Sequence, residues 1–386
     1  MRINKNQYNC CGCTACASIC PHNAITMVPD VLGFKYPRIN LELCVNCGLC
    51  VKVCSFNSKY DKIQNYSEPI AYAVRHKDIK EVETSRSGAA FIAFSDIILD
   101  KEGSIYGAGY IDHFVVAHKR ATTKIQRNEF KGSKYVQSDL GLTFQSIKQE
   151  LKNGKIVLFS GTPCQTAGLK AFIGEKLQEN LFLIDIICHG IPSPYIWRDY
   201  IIYVEKRNHS KITAVNFRDK SSLGWAAHKE SFCFENGKKE IRDNFTYLFY
   251  KHIMFRRSCE RCPFTNLHRP SDITIADFWG WQKTDVNINA DNKGVSLVLV
   301  NTEKGARLYE KASANLYVVK ANLKDCLQPN LQNPSKSSPL RAQFEQVYQK
   351  RGFEGILKKY GNIGLSYHLQ QFRLRIINKI RFLLTK

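Results

Sequence analysis

The sequence predicts a small α+β segment at the N-terminus, an α/β core behind it and a basic helical tail. Three observations carry that prediction. The first 54 residues hold two evenly spaced runs of cysteines with a hairpin pattern between them. Apolar runs of strand length, each followed by a turn and then helical spacing, recur from residue 68 to about residue 330. After Pro339, apolar residues recur at helical spacing among lysines and arginines.

Cys10-x2-Cys13-x2-Cys16-x3-Cys20-Pro21 is followed, 23 residues on, by Cys44-x2-Cys47-x2-Cys50-x3-Cys54. Two such runs are the signature of a ferredoxin-like dicluster domain, in which three close thiolates hold one 4Fe-4S cluster and the fourth crosses to the other. The predicted ligands are Cys10, Cys13, Cys16 and Cys54 for the first cluster, and Cys44, Cys47, Cys50 and Cys20 for the second. A cuboidal cluster takes four soft thiolates at tetrahedral corners, and a two-residue gap lets one tight loop supply three of them. Structural zinc takes two separated pairs instead, whereas each run here places four thiols within eleven residues. Between the runs, Ala24 to Met27 and Tyr36 to Ile39 read as a hairpin about Leu32-Gly33. Cys11 falls outside the pattern and reads as a spare thiol.

At 386 residues the chain is long enough for two or three domains, and 44% hydrophobic residues argue against disorder. No export signal precedes the first cysteine, and the longest apolar stretches, around Leu181–Ile187 and Val295–Val300, are too short to span a bilayer. The expected location is therefore the cytoplasm, where fifteen cysteines point to metal ligation rather than disulfides. The formal charge of +22 would fall to roughly +14 with three clusters and a dinucleotide pyrophosphate bound. Such an excess draws anionic cofactors, an acidic electron-donor protein or an anionic membrane surface. No nucleic-acid module accompanies it, so nucleic acid is not an expected partner.

Residues 1–60 are expected to form the dicluster domain, 68–154 and 155–338 the two parts of one core, and 339–386 the tail. Residues 55–68 read as a linker ending at Glu68-Pro69. Ile70 to Val74 reads as a strand, and Ser85 to Ala90 leads into a helix from about Phe91 to Leu99. At that helix start, Ser87 and Gly88 either leave amides open to an anion or simply cap the helix.

Thr143 to Leu151 has helical spacing and stops at Asn153-Gly154. Then come a buried strand over Lys155–Phe159, a turn through Ser160-Gly161-Thr162-Pro163-Cys164-Gln165, and a helix from Ala167. A second such unit has a strand over Leu181–Ile187, a turn through Cys188-His189-Gly190, and a helix over Tyr195–Lys206. If the two strands are parallel, Cys164 and Cys188 share the crevice at their carboxyl ends. Val215–Lys220 and Glu230–Phe234 predict a hairpin about Gly224-Trp225. Cys259-x2-Cys262-Pro263 is half of a metal site, which Cys164 and Cys188 complete in one reading. A third 4Fe-4S cluster, structural zinc and unrelated core thiols all stand open for these four. Cys233 and Cys326 read as core.

At these residues the chain resembles the coenzyme F420 hydrogenase and dehydrogenase β-subunit family of iron-sulfur flavoproteins. The resemblance rests on Ser87-Gly88, Ser160-Gly-Thr-Pro-Cys164-Gln165, Cys188-His-Gly, Cys259-x2-Cys262-Pro and Asp272-Ile-Thr-Ile-Ala-Asp277-Phe-Trp-Gly, in that order, over about residues 68 to 330. It implies an α/β flavoprotein core that binds FAD and a 4Fe-4S cluster. Electrons would pass between clusters and flavin, and hydride between flavin and a deazaflavin-like or other small organic acceptor. It makes Cys164, Cys188, Cys259 and Cys262 the third-cluster ligands. The cofactor would lie beside Ser87, Gly88, Ser160, Gly161, Thr162, Gln165, His189, Gly190 and Asp277. Ala89 stands where the family usually has a second glycine.

Arg218 and Lys220 read either as cations over a reduced flavin's negative edge or as a solvated surface pair. The expected donor is reduced ferredoxin or a partner redox subunit. The alternative is a non-catalytic subunit that relays electrons to a partner reductase. In the tail, Leu365, Leu369, Phe372, Ile376, Ile380 and Leu383 form an apolar stripe flanked by Arg375, Lys379 and Lys386. It lies on an anionic membrane face in one reading and packs on its own domain in the other.

Overall fold

The computed structural model describes residues 2–57, 65, 68–285, 287–364 and 367. Near the N-terminus, β1 (Ile25–Pro29) and β2 (Lys35–Ile39) pair antiparallel, with Ile25 opposite Ile39. Their turn is closed by the Asp30 carboxylate, which accepts from the amides of Leu32 (2.9 Å) and Phe34 (3.0 Å). Two four-residue helices, Ala15–Ser18 and Leu49–Lys52, begin directly after left-handed residues and carry Cys16 and Cys50.

The hairpin tip does not face water. Leu32 and Phe34 are buried in one apolar cluster with Ile196, Trp197 and Phe255. The Ser193 hydroxyl donates to the Leu32 carbonyl at 2.6 Å, and the Tyr195 amide donates to the same oxygen at 3.2 Å. At Gly33 (φ +82°) a Cβ would lie 2.6 Å from the Tyr195 ring, so only glycine fits this approach.

The core strands are β3 (Ile70–His76), β4 (Ser104–Ile111), β5 (Val115–Ala121), β6 (Val157–Gly161), β7 (Leu181–Ile186), β8 (Ile212–Asn216), β9 (Glu230–Phe234), β10 (Lys239–Arg242), β11 (Ile273–Asp277), β12 (Ser296–Val300) and β13 (Leu316–Lys320). Eight of them form one mixed sheet, in the order β13-β3-β12-β11-β7-β6-β4-β5. The pairs β4/β6, β6/β7 and β7/β11 are parallel, and the others are antiparallel. Strands β8, β9 and β10 form a separate antiparallel sheet.

The central strands read as continuous apolar runs because helices cover both faces. Leu158 and Ile184 face helices Ala90–Leu99 and Glu303–Ser313, while Val157, Phe159 and Leu183 face helices Thr143–Lys152 and Pro163–Ile173. Ala15 and Val53 of the N-terminal segment join the second of these layers.

The helix expected from Ala167 begins earlier, at Pro163. Thr162 and Gln165 form a capping box, and proline suits the first helical position, so Cys164 lies inside the first turn. The hairpin expected from Val215 is made by β8 and β9, but its first strand ends at Asn216. Asp219 then accepts from the Ser221 amide and starts a short helix, Lys220–Leu223. Beyond Pro339 a helix runs over Arg341–Tyr360 and is broken at Gly352. The apolar stripe from Leu365 onward, and residues 58–64, 66 and 67 of the expected linker, lie outside the described residues. Among the described residues, no helix is long and apolar enough to cross a membrane.

Gly88 has a packing reason: a Cβ there would lie 2.3 Å from the Val74 carbonyl and 2.7 Å from the Ser296 amide. Ala89 beside it holds φ +62° at the cap of helix Ala90–Leu99. A left-handed alanine costs about 1–2 kcal/mol, part of which glycine returns as chain entropy. Ala89→Gly is therefore expected to raise stability by up to about 1 kcal/mol, read from the urea midpoint. A lower midpoint would contradict the strain.

Candidate metal centres and cofactor slot

Two cavities in the N-terminal segment are each walled by one predicted thiol set. Cys10, Cys13, Cys16 and Cys54 line the first, with Ile3, Met27 and Pro37 around them. Cys20, Cys44, Cys47 and Cys50 line the second, with Ile25, Ile39 and Leu49. Cys54 thus lines the cavity of the first run and Cys20 that of the second. Burial pushes the thiols of Cys10, Cys16 and Cys54 up, so a thiolate in the first cavity needs a positive core beside it, which iron supplies. Four soft donors with apolar walls fit a 4Fe-4S cluster in each cavity. The two differ in access: Cys10 and Cys16 are buried against the core, whereas Cys47 is exposed beside exposed Leu41, Leu43 and Val45.

A third thiol group forms on the core. Cys164 sits in the first turn of the helix after β6, Cys188 follows β7, and Cys259 and Cys262 bracket a tight turn near Arg257–Arg261. Cys262 lies within electrostatic reach of both Cys164 and Cys188. Parallel pairing of β6 with β7 accounts for this, since both strands end on the same side of the sheet. Burial pushes Cys262 up to about 12, and burial with the neighbouring Cys259 also raises Cys188. Among the described residues, no three His, Cys, Asp or Glu side chains converge as ligands of a single metal ion would.

Cys11, outside the pattern, is buried, and Cys13 and Cys164 both act on its thiol. Nothing in the cysteine spacing marks it.

The residues assigned to the cofactor fall into three neighbourhoods. Around Ser160 to Gln165 the protein satisfies itself. The Thr162 amide donates to Gln165 Oε1 at 3.0 Å, and Gln165 Nε2 donates to Ser138 Oγ at 3.0 Å. Ser138 Oγ meets His118 Nδ1 at 2.9 Å, and His118 Nε2 meets the Ser160 carbonyl at 3.0 Å. A neutral imidazole protonated on Nε2 closes this chain. A Cβ on Gly161 would lie 2.8 Å from the Phe159 ring.

Burial pushes the His118 imidazole down to about 4. An unfolded histidine titrates near 6.5, so between about 6.5 and 4 only the unfolded chain takes up the proton. The stabilisation is complete above pH 6.5 and is lost as pH falls towards 4. Urea midpoints at pH 7 and pH 5 are expected to differ less in His118→Gln than in the parent. An equal difference would show that His118 contributes nothing to acid lability.

In the second neighbourhood, His189 Nε2 lies 2.7 Å from His252 Nε2, and burial pushes His189 down to about 4. Gly190 (φ +129°) lies against Phe255. The Tyr250 ring meets His189 edge-on at 5.9 Å and His228 at 5.3 Å, which leads to the third neighbourhood.

There the Asp277 carboxylate accepts from Arg218 Nη1 at 2.5 Å, with Arg86 Nη2 at 3.7 Å. Trp225 and Trp279 stack at 4.7 Å, and His228 stacks on Trp279 at 5.9 Å. Ser87 donates to the Val295 carbonyl at 2.5 Å, so its hydroxyl hydrogen is already committed. Among the described residues, Arg86 Nε and Nη1 and Trp225 Nε1 are buried without a partner. Three orphaned donors beside a stacked aromatic pair fit an anionic, aromatic ligand, and FAD is one. Arg218 and Lys220 are not a solvated pair: Arg218 is 5% exposed, and Lys220 Nζ donates to the carbonyls of Val82, Ser87 and Lys293. Burial, reinforced by Arg86, pushes the Lys220 ammonium down to about 7. The sequence reading missed Arg86, Trp225, His228 and Trp279. Adjacency of Arg86 to Ser87, and of Trp279 to the Asp277 motif, was the available signal.

Two four-thiol cavities beside a third thiol group on a mixed α/β sheet define an iron-sulfur electron-transfer protein. Residues 154–325 match the family model for the C-terminal region of the coenzyme F420 hydrogenase/dehydrogenase beta subunit, and residues 9–58 match the 4Fe-4S dicluster domain. The chain therefore joins a region similar to the C-terminal part of that beta subunit to a dicluster domain at its N-terminus. It is 37% identical over 62 residues to an uncharacterized polyferredoxin-like protein of Methanocaldococcus jannaschii, a match covering 14% of this chain and 37% of the relative. A chain of the F420-reducing nickel-iron hydrogenase complex of Methanosarcina barkeri is similar at 15% identity and a TM-score of 0.44, over 75% of this chain and 90% of that one.

Proposed function

We propose that the protein is an FAD- and 4Fe-4S-dependent oxidoreductase that exchanges electrons with a ferredoxin or redox subunit and hydride with a deazaflavin-like or other small organic acceptor. The observation that carries the reading is the gathering of four core thiols at the carboxyl ends of β6 and β7, beside the inward-facing cavity of the dicluster domain.

Cys164, Cys188, Cys259 and Cys262 hold a third cluster as thiolates. Arg86 and Trp225 offer their free N–H groups to the cofactor, and Arg218 fixes Asp277 between two guanidinium groups. The stacked Trp225 and Trp279 rings offer the cofactor an aromatic face. FAD, when bound, supplies the exchange between one-electron and two-electron transfer. A second reading, a relay without flavin, is favoured by the self-satisfied state of Ser87, Thr162 and Gln165.

Anaerobic purification tests both. Bound FAD with about 12 iron atoms per chain, four per cluster, supports the oxidoreductase. Full iron without flavin supports the relay, and colourless protein containing zinc removes both.

A further inference from the structure

We propose that Cys11 and Arg256 form the junction through which an electron passes between the first cluster and the third centre. This rests on the reading of the four core thiols as cluster ligands and goes beyond it by naming the residues that join that centre to the N-terminal domain.

Cys11 is buried between one proposed ligand of each centre, since Cys13 and Cys164 both act on its thiol. The contact does not depend on Cys11 alone. A Cβ on Gly168, in the helix that carries Cys164, would lie 2.6 Å from Cys13 Sγ, so the two ligand-bearing segments touch directly there.

Arg256 clamps the same loop. Its Nε donates to the Cys10 carbonyl at 2.7 Å, Nη1 to Gln137 Oε1 at 3.0 Å and Nη2 to the Lys35 carbonyl at 2.9 Å. Gln137 Nε2 in turn donates to the Cys11 carbonyl at 3.0 Å. Gly12 (φ +72°) lets the loop approach, since a Cβ there would lie 2.8 Å from Arg256 Nη1. Arg256 is 1% exposed, and among the described residues no carboxylate pairs with it.

Its hydrogen bonds to the protein end on neutral oxygens, and the Asp30 carboxylate offers it opposite charge only at longer range. A buried, unpaired cation is costly unless opposite charge is brought to it. The groups that favour its charge are Tyr36 and the thiols of Cys10, Cys11 and Cys259, which come from both centres. Two anionic clusters are the counter-charge this guanidinium is placed to meet, and their reduced forms gain more from it than their oxidised forms.

The step is one electron: the first cluster is oxidised, the third centre is reduced, and no bond or proton changes hands. The electron comes from a low-potential one-electron reductant that reaches the exposed second cluster.

The test uses the full chain, prepared anaerobically. Cys11→Ala is expected to keep about 12 iron atoms, while reduction of the third centre after mixing with limiting dithionite, followed by freeze-quench EPR, slows about tenfold or more. Cys11→Ser restores part of the rate. Arg256→Gln is expected to move the midpoint potentials of the first cluster and the third centre to more negative values and leave the second cluster unmoved, with Arg256→Lys restoring both.

Unchanged transfer in Cys11→Ala together with unchanged potentials in Arg256→Gln overturns the proposal. So does a fall to about 8 iron atoms in Cys11→Ala, which would make Cys11 a ligand. About 8 iron atoms in the unaltered protein would remove the third centre itself, a failure visible before any substitution is made.

Discussion

Cys188→Ala is expected to lower the iron content from about 12 to about 8 atoms per chain while both clusters of the dicluster domain remain. Cys188 follows β7 and is one of four thiols from three separate segments. Its loss leaves three thiolates where a cluster needs four, and no other cysteine replaces it without moving a strand end. Cys11, the nearest additional thiol, contacts Cys164, and Cys188's thiol neighbours are Cys259 and Cys262. Reduction of a bound flavin by electrons entering at the second cluster is expected to stop in the same variant. Iron analysis and low-temperature EPR check both statements. Full iron content in Cys188→Ala would take this residue out of the ligand set.

Asp277→Asn is expected to cost about 3–5 kcal/mol, the range for removing one partner of a buried ion pair. The substitution keeps the shape and deletes the charge. Arg218, Arg86 and Asp277 have side chains only 5%, 9% and 12% exposed, so solvent cannot replace the lost carboxylate. Two guanidinium groups would then face each other without a counter-ion. Pairing the change with Arg86→Met should recover part of the loss, because one of the two uncompensated cations is gone. Urea denaturation of the four variants in a double-mutant cycle reads the coupling. A loss under about 1 kcal/mol would mean that the pair is effectively solvated.

The most legible parts of the chain were those whose physics is local. Three thiols of each set are fixed by spacing within one loop and the fourth by the paired run, and the cavities in the N-terminal segment are walled by the thiols that spacing selected. Strands β6 and β7 were readable because burial on both faces removes alternation from their sequence. Gly88 and the Thr162–Gln165 pair were singled out as cofactor contacts, and the structure gives each a packing or capping role that a single sequence does not separate from ligand contact.

What stayed hidden is long-range. Arg86 donates to the carbonyl of Trp225, 139 residues away, and Arg256 reaches Cys10 across 246 residues. No period or motif links such positions. The surroundings of Cys11 are hidden for a related reason: Cys164, which acts on its thiol, lies in a helix that begins 152 residues later. The turn at Leu32-Gly33-Phe34 carried ordinary turn chemistry, and only the core it enters shows why two large apolar residues flank the glycine.

That buried turn bears on how quickly charge can cross the molecule. With Leu32 and Phe34 seated among Ile196, Trp197 and Phe255, the N-terminal domain is anchored to the core rather than tethered beside it. Internal exchange then includes no search by diffusion. Raising solvent viscosity is then expected to slow encounters with outside carriers and to leave exchange between the proposed centres unchanged.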